Sequence, residues 1–190
     1  MKTDVRLVSW AASQAESLLA PLGDRWLHVQ GVVETARCVA SVLDEENRPY
    51  LIAAAYVHDI GYAPALIETG FHPLDGAHYL RSEGFERLAC LVAHHSEARF
   101  EARLRGLAHA LEEFPRERSA TADVLTYCDL TRGPLGERVS LRERACEVYA
   151  RYGEQDIVAR AFRQAMPCFS LAIARTKLRL RKHGLLLEIS

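Results

Sequence analysis

No two cysteines in the chain stand at C-x-x-C spacing. The five present, Cys38, Cys90, Cys128, Cys146 and Cys168, are odd in number and widely scattered. That pattern excludes a disulfide framework or a thiolate metal site and fits reduced thiols in a cytoplasmic protein. Charge of one sign is also missing: 24 Lys and Arg against 25 Asp and Glu leave a formal net charge of -1. Nothing global then draws the chain to nucleic acid or to an anionic membrane, and any site for a polyanion must be local. Long apolar runs are absent too. Lys2, Asp4, Arg6 and Glu16 interrupt the N-terminal apolar pattern, which reads as neither signal peptide nor membrane-spanning helix. Repeats and convincing strand-period segments are lacking. With 190 residues, 49% hydrophobic and 26% charged, the expectation is one globular domain over residues 1–190, long enough to bury a real core.

Helical periodicity fills the chain instead. Val8, Ala12, Ala15, Leu18 and Leu19 recur at threes and fours ahead of Pro21 and Gly23 and predict a first amphipathic helix. Asp24 is expected to cap the second, whose stripe of Val29, Val32, Val33, Ala36, Val39, Ala40 and Leu43 turns His28 inward near the helix start. Pro49 suits the first turn of a third helix, with Leu51, Ala54, Ala55 and His58 on one face and Gly61 and Pro64 as its end. A loop leads to Phe71 and His72, and Pro73 opens a short helix that Gly84 interrupts. Phe85, Leu88, Ala89 and Val92 build the next, ending around His94 and His95.

The charge-dense stretch from Arg99 to Arg118, broken at Pro115, reads as a partly exposed excursion. Ala120 to Leu130 then form a helix that delivers Asp129, with Gly133, Pro134 and Gly136 as its exit loop. Ser140 and Glu143 make a capping box for a helix to about Arg151, and a last helix runs from about Gln155 to Lys182, with a kink expected at Pro167. The fold class is all-α, a single-domain helical bundle.

Chemistry concentrates at Val57, His58, Asp59, Ile60, Gly61 and Tyr62. Pro49 to Val57 is apolar or small throughout and can be buried on nearly every face, so an imidazole and a carboxylate follow it into the interior. Buried ionisable groups are costly unless paired or bound to a metal. His28, His72, the pair His94 and His95, and Asp129 add candidates from separate segments. Imidazole nitrogen and carboxylate oxygen suit iron, manganese, zinc and their neighbours, and the set suits one or two divalent ions. Blander roles compete. His28 alone is a core or cap histidine, His72 before a proline is a loop residue, and Asp123 rivals Asp129 on one helix. Asp75 and His78 read as structural support, and the run Arg175, Lys177, Arg179, Arg181, Lys182 as a solvated helix face.

The order His, His-Asp, His, His, Asp resembles the HD-domain superfamily of metal-dependent phosphohydrolases. His58, Asp59, Ile60 and Gly61 match its HDIG form literally, and His72, Pro73, Leu74, Asp75, Gly76, Ala77 resembles its HPxxGA segment. The resemblance covers about Leu27 to Pro134. It implies an HD-domain fold whose metal-binding core spans about 24–135, with helices over 140–182 packed on it. It implies that His28, His58, Asp59 and Asp129 hold a first metal. By likeness to the dinuclear branch, His72 and one of His94 or His95 complete a second site, with Asp59 bridging. The position of Leu91 three places earlier favours His94, and leaves His95 as an alternative ligand or a substrate contact. His58 and Asp59 are the implied catalytic pair. The implied cofactor is a pair of divalent ions, iron, manganese or another transition metal, with magnesium also admitted.

Two such ions can share a hydroxide whose proton affinity both have lowered, and can clamp phosphoryl oxygens during displacement. Arg132, three residues after Asp129, and Arg99 and Arg103, after the His94 loop, are candidate phosphate contacts. Ser96, Glu97, Ala98, Arg99 stand where cyclic dinucleotide phosphodiesterases of the HD-GYP type carry glycine, tyrosine and proline, which counts against that activity. Tyr62 stands where many HD hydrolases carry lysine. The nearest pattern is that of the bacterial symmetrical diadenosine tetraphosphate hydrolase type. The expected partner is thus a small-molecule phosphate, a nucleotide foremost. A homodimer is admitted; membrane and nucleic acid are not expected. Two rival readings stay open: a diiron oxygenase acting on a phosphonate or polyol, and a non-catalytic module that binds a nucleotide.

Overall fold

A computed structural model of the chain describes residues 2–185. Ten α-helices account for most of them: α1 (Lys2–Leu19), α2 (Asp24–Val39), α3 (Arg48–Val57), α4 (His72–Ser82), α5 (Glu86–His94), α6 (Arg99–Arg105), α7 (Ala108–Glu112), α8 (Ala120–Leu130), α9 (Leu141–Tyr152) and α10 (Ile157–Lys182). Among the described residues the only β feature is a bridge between Arg132 and Arg138, and the fold is all-α. No helix there is long and apolar enough to cross a membrane.

α3 is the buried axis. Leu51, Ala53, Ala54, Ala55 and Val57 expose no surface, and α1, α2, α5 and α8 pack around them. Three successive alanines let neighbouring backbones come close, and the larger side chains supply the burial, each buried Leu or Val contributing about 1.5–3 kcal/mol. α10 lies across α6, α8 and α9, where Ala165 and Phe169 pack on Leu130. This apolar lid closes over the C-terminal end of α8, the end that carries Asp129.

Local chemistry sets most boundaries as the patterning predicts, with corrections. Asp24 is not the cap of α2. Gly23 is, at φ +57° and with no side-chain bond, and Asp24 is the first helical residue; the tight turn after Leu22 needs a positive φ that glycine adopts at little cost. α2 stops at Val39, and Ala40–Val42 tighten into a 3₁₀ turn that still buries Val42 and Leu43. The stretch from Arg99 to Arg118 is less of an excursion than expected, because Ala102, Leu111 and Phe114 anchor it in the core. α10 runs on as one helix through Pro167. Ser119 caps α8, and Ser140 and Glu143 form the capping box of α9.

Gly61 and Gly76 lock the fold beneath the histidines. A Cβ on Gly61 would run into the His72 carbonyl oxygen and come within 2.6 Å of the Gly76 nitrogen. Only bare backbone at 61 lets the turn after Asp59 sit against the first turn of α4. Gly61→Ala is therefore expected to destabilise by about 1–3 kcal/mol, the usual cost of overpacking. In a chain of this size that lowers the melting temperature by about 2–12 °C. An unchanged thermal melt contradicts this reading of the contact.

Candidate metal centre

Five segments bring six side chains to one place. His28 comes from the second turn of α2, and His58 from the C-cap of α3 with Asp59 next to it. His72 opens α4, His95 follows the end of α5, and Asp129 sits in the last turn of α8. They form two groups, His28 with His58 and Asp129, and Asp59 with His72 and His95; within each, the ligand atoms lie within 4.8 Å of one another. His28 Nε2 is 3.0 Å and His58 Nε2 4.0 Å from Asp129 Oδ1.

Asp59 lies between the groups and divides its oxygens. Oδ2 is 3.6 Å from His58 Nε2, while Oδ1 is 3.4 Å from His72 Nε2 and 3.8 Å from His95 Nε2.

Backbone carbonyls set the histidine tautomers. Nδ1 faces Gly133 O at 3.0 Å in His28, Ala55 O at 2.9 Å in His58 and Val92 O at 2.6 Å in His95. A carbonyl only accepts, so each Nδ1 donates and each neutral ring presents the bare Nε2 lone pair to the cluster. A single proton cannot also serve the contact between His28 Nε2 and Asp129 Oδ1. His58 Nε2 is buried and has no hydrogen-bond partner. His72 and His95 likewise bring Nε2 to within 3.3 Å of Nε2. Lone pairs and carboxylate oxygens converging without enough protons are what a divalent cation satisfies. This donor set, all nitrogen and oxygen, fits a transition metal in each group.

Two carboxylates share this buried pocket. Burial pushes the Asp59 carboxyl up, but the Arg25 guanidinium, with His58 and His72 after it, holds it well below the ordinary carboxylate range. Burial opposes ionisation of Asp129 as well, and the imidazoles of His28 and His58 beside it outweigh that and hold it below the ordinary range. For His58 burial prevails over Asp59 and Asp129, for His72 over Asp59, and both fall below the ordinary 6.5. Both rings are thus neutral at neutral pH, the form in which imidazole can bind a metal.

The pH dependence follows from the sign of these shifts. A lowered folded pKa means that the unfolded chain takes up the proton first as pH falls. The metal-free protein is therefore expected to lose stability as pH drops through 6.5, with a second loss below about 4, where Asp59 and Asp129 titrate in the unfolded chain. Thermal melts between pH 7.5 and 5.5 that superimpose would contradict this assignment.

Residues 25–146 match the family described as HD domain. The chain belongs to the HD domain family. No curated protein and no solved structure matches it.

In this HD domain His95, not His94, joins the second group, which corrects the preference for His94. α5 ends at His94, whose Nε2 donates to the Phe114 carbonyl at 2.6 Å and is committed there. His95 leaves the helix with extended backbone angles. Ser96 and Glu97 then take φ +44° and +55°, a conformation non-glycine residues adopt at some cost. That strained turn aims His95 inward and lets the Ser96 hydroxyl donate to Asp129 Oδ2.

None of the three arginines expected at a substrate phosphate reaches the HD domain's cleft. Arg132 is buried against Thr35 Oγ1 (2.7 Å), Gly136 O (2.8 Å) and Glu34 Oε2 (2.9 Å), and ties the exit loop to α2. Arg99 pairs with Glu97 and faces a different cavity, and Arg103 is exposed on α6. Asp123, the rival of Asp129, lies by Arg175 and Arg179 instead. Asp75 is structural: it accepts from Thr69 N, Thr69 Oγ1 and Gly70 N, and so folds the loop that presents His72.

The cleft's cations are ones the sequence reading missed. Arg25 Nη1 lies 2.6 Å from Asp59 Oδ2, its guanidinium 4.0 Å from the Tyr62 ring centre, and Tyr62 stacks on His72 at 4.0 Å. From α9, Arg144 and Arg151 line the same cleft, both held by Glu147. Their signal was spacing: Arg25 stands three residues before His28, and Arg144, Glu147 and Arg151 share one helical face.

Proposed function

We propose that this HD domain is a metal-dependent phosphohydrolase that holds two divalent cations and cleaves a phosphate ester or a nucleotide anhydride. The observation that carries the reading is the division of Asp59, one oxygen toward His58 and the other toward His72 and His95, beside arginines in the same cleft. In the proposed assignment His28, His58 and Asp129 would hold one ion and His72 and His95 the other, with an oxygen of Asp59 turned to each group. Bound there, the ions would supply an activated water and charge stabilisation for in-line phosphoryl displacement.

The chain's own residues supply the rest. The carbonyls of Gly133, Ala55 and Val92 keep Nε2 of His28, His58 and His95 free of protons. Ser96 orients Asp129 through its hydroxyl, and the Tyr62 ring holds His72 in plane. Glu147 holds Arg144 and Arg151 on one carboxylate, in reach of an incoming phosphate, which can replace that carboxylate bidentately at either guanidinium. Phe162, Val148 and Phe169 form the apolar wall of the cleft and limit water near the reacting phosphorus. The cleft encloses about 120 Å³, less than the roughly 300 Å³ at which pockets begin to bury a drug-sized ligand. A phosphate group fits inside, with the remainder of the substrate at the mouth.

Phosphate release from a panel of phosphomonoesters and nucleotides, measured with manganese and with iron, tests this. Turnover with one or more members supports the hydrolase. Oxygen uptake on a phosphonate or polyol without phosphate release would transfer the assignment to an oxygenase. Nucleotide binding without turnover under any metal would make the domain a regulatory module.

A further inference from the structure

Behind the turn that carries His95 lies a second cavity of about 510 Å³, within the size range of small-molecule sites. Arg99, Arg116, Arg118, Arg175 and Arg179 line it, against the carboxylates Glu97, Glu117 and Asp123. Glu117 is already engaged by Arg87, at 2.9 Å. Asp123 lies 3.8 Å from Arg175 and 3.6 Å from Arg179, beyond hydrogen-bond length for either. Of the arginines that line the cavity, Arg99, at 2.7 Å, and Arg116 are held closely by one of these carboxylates, Glu97 in both cases. Positive charge is thus in clear excess in this partly open cavity, although the chain as a whole is slightly acidic. Leu91, Leu125 and Leu171 give the cavity an apolar side, and Leu171 is half exposed there.

The basic run on α10, expected as a solvated face, divides accordingly: Arg175 and Arg179, one turn apart, turn to this cavity. Arginines gathered without matching carboxylates recognise phosphate groups through bidentate bonds. We propose that this cavity is a second ligand site, for a small anion carrying two or more phosphates, and that Glu97 links it to the metal centre. His95 and Glu97 line both cavities. An anion on Arg99 and Arg116 takes the partners that hold Glu97, and so loosens the strained turn that positions His95 and Ser96. The site itself does not rest on the hydrolase reading, since the arginines that form it belong to neither histidine group.

Hydrogen exchange by mass spectrometry on the intact protein reads the two cavities separately. Imidodiphosphate, a non-hydrolysable analogue of pyrophosphate, is the probe, with ADP and adenosine in parallel. Imidodiphosphate is expected to protect peptides over 116–122 and 171–179 in a saturable manner. Arg175→Ala with Arg179→Ala, at exposed and half-buried positions outside the hydrophobic core, is expected to weaken that protection tenfold or more, and Arg151→Ala in the first cleft to leave it unchanged. ADP protecting at lower concentration than imidodiphosphate assigns the apolar side to a nucleoside; equal concentrations assign binding to the phosphates alone, and adenosine is expected to be silent. Protection confined to the segments around 58–72 and 144–151, no saturable protection, or protection that survives the double variant overturns the proposal.

Discussion

Asp59→Asn is expected to cost the protein turnover and metal together, with kcat/KM on any substrate found falling by at least about 10³-fold, or about 4 kcal/mol of transition-state stabilisation. Asparagine keeps the shape of the side chain and removes its charge. No other side chain of the cluster offers one atom to each group, with Oδ2 toward His58 and Oδ1 toward His72 and His95. An amide presents one oxygen and an NH2, so one group loses the oxygen that Asp59 turns to it whichever way the amide lies. Elemental analysis of the variant should find less than one ion per chain. Both ions retained, with kcat/KM within tenfold of the parent, would remove Asp59 from the centre of the scheme.

The adjacent histidines give the second large effect and an internal contrast. His95→Ala deletes a member of the second group, and its loss should exceed the roughly 10- to 100-fold that follows from removing the partner behind a ligand. His94→Ala deletes a side chain whose Nε2 is spent on the Phe114 carbonyl. That carbonyl is left unpaired, so the expected cost is about 1–3 kcal/mol of stability, with metal content unchanged and turnover within about threefold. Denaturation midpoints and steady-state rates on the two variants check both arms. The reverse ranking would restore His94 as the ligand.

The contrast also shows where the sequence stops being informative. Helix periodicity found α3 and its buried face because apolar spacing and burial are the same fact in a helix. The segment from His58 to Gly61 stood out because an ionisable pair follows an apolar run into the interior, whereas the one from His72 to Ala77 was legible only through its likeness to the HPxxGA segment. His94 against His95 is a difference of one residue at a helix end. It is decided by the positive φ of Ser96 and Glu97, residues with no glycine-like signature. Register with Leu91 holds as far as His94, where α5 ends, and carries no information about the turn beyond it that aims His95 inward.

The arginines failed for another reason. Arg132, Arg99 and Arg103 were chosen by nearness in sequence to a cluster residue. Reach into a cleft depends instead on which helix is laid over it, and α9 is laid over this one, so Arg144 and Arg151 line it from far along the chain. Arg25 was within reach of spacing alone, three residues before His28 on α2.

Metal stoichiometry of the purified protein, by elemental analysis on the parent and on His72→Ala, tests the central claim most directly. Two transition-metal ions per chain, falling to one when His72 is removed, is the result expected of two groups that share Asp59. A parent that takes up no divalent ion in excess manganese or iron, or binds one whose occupancy is indifferent to His72, would contradict it.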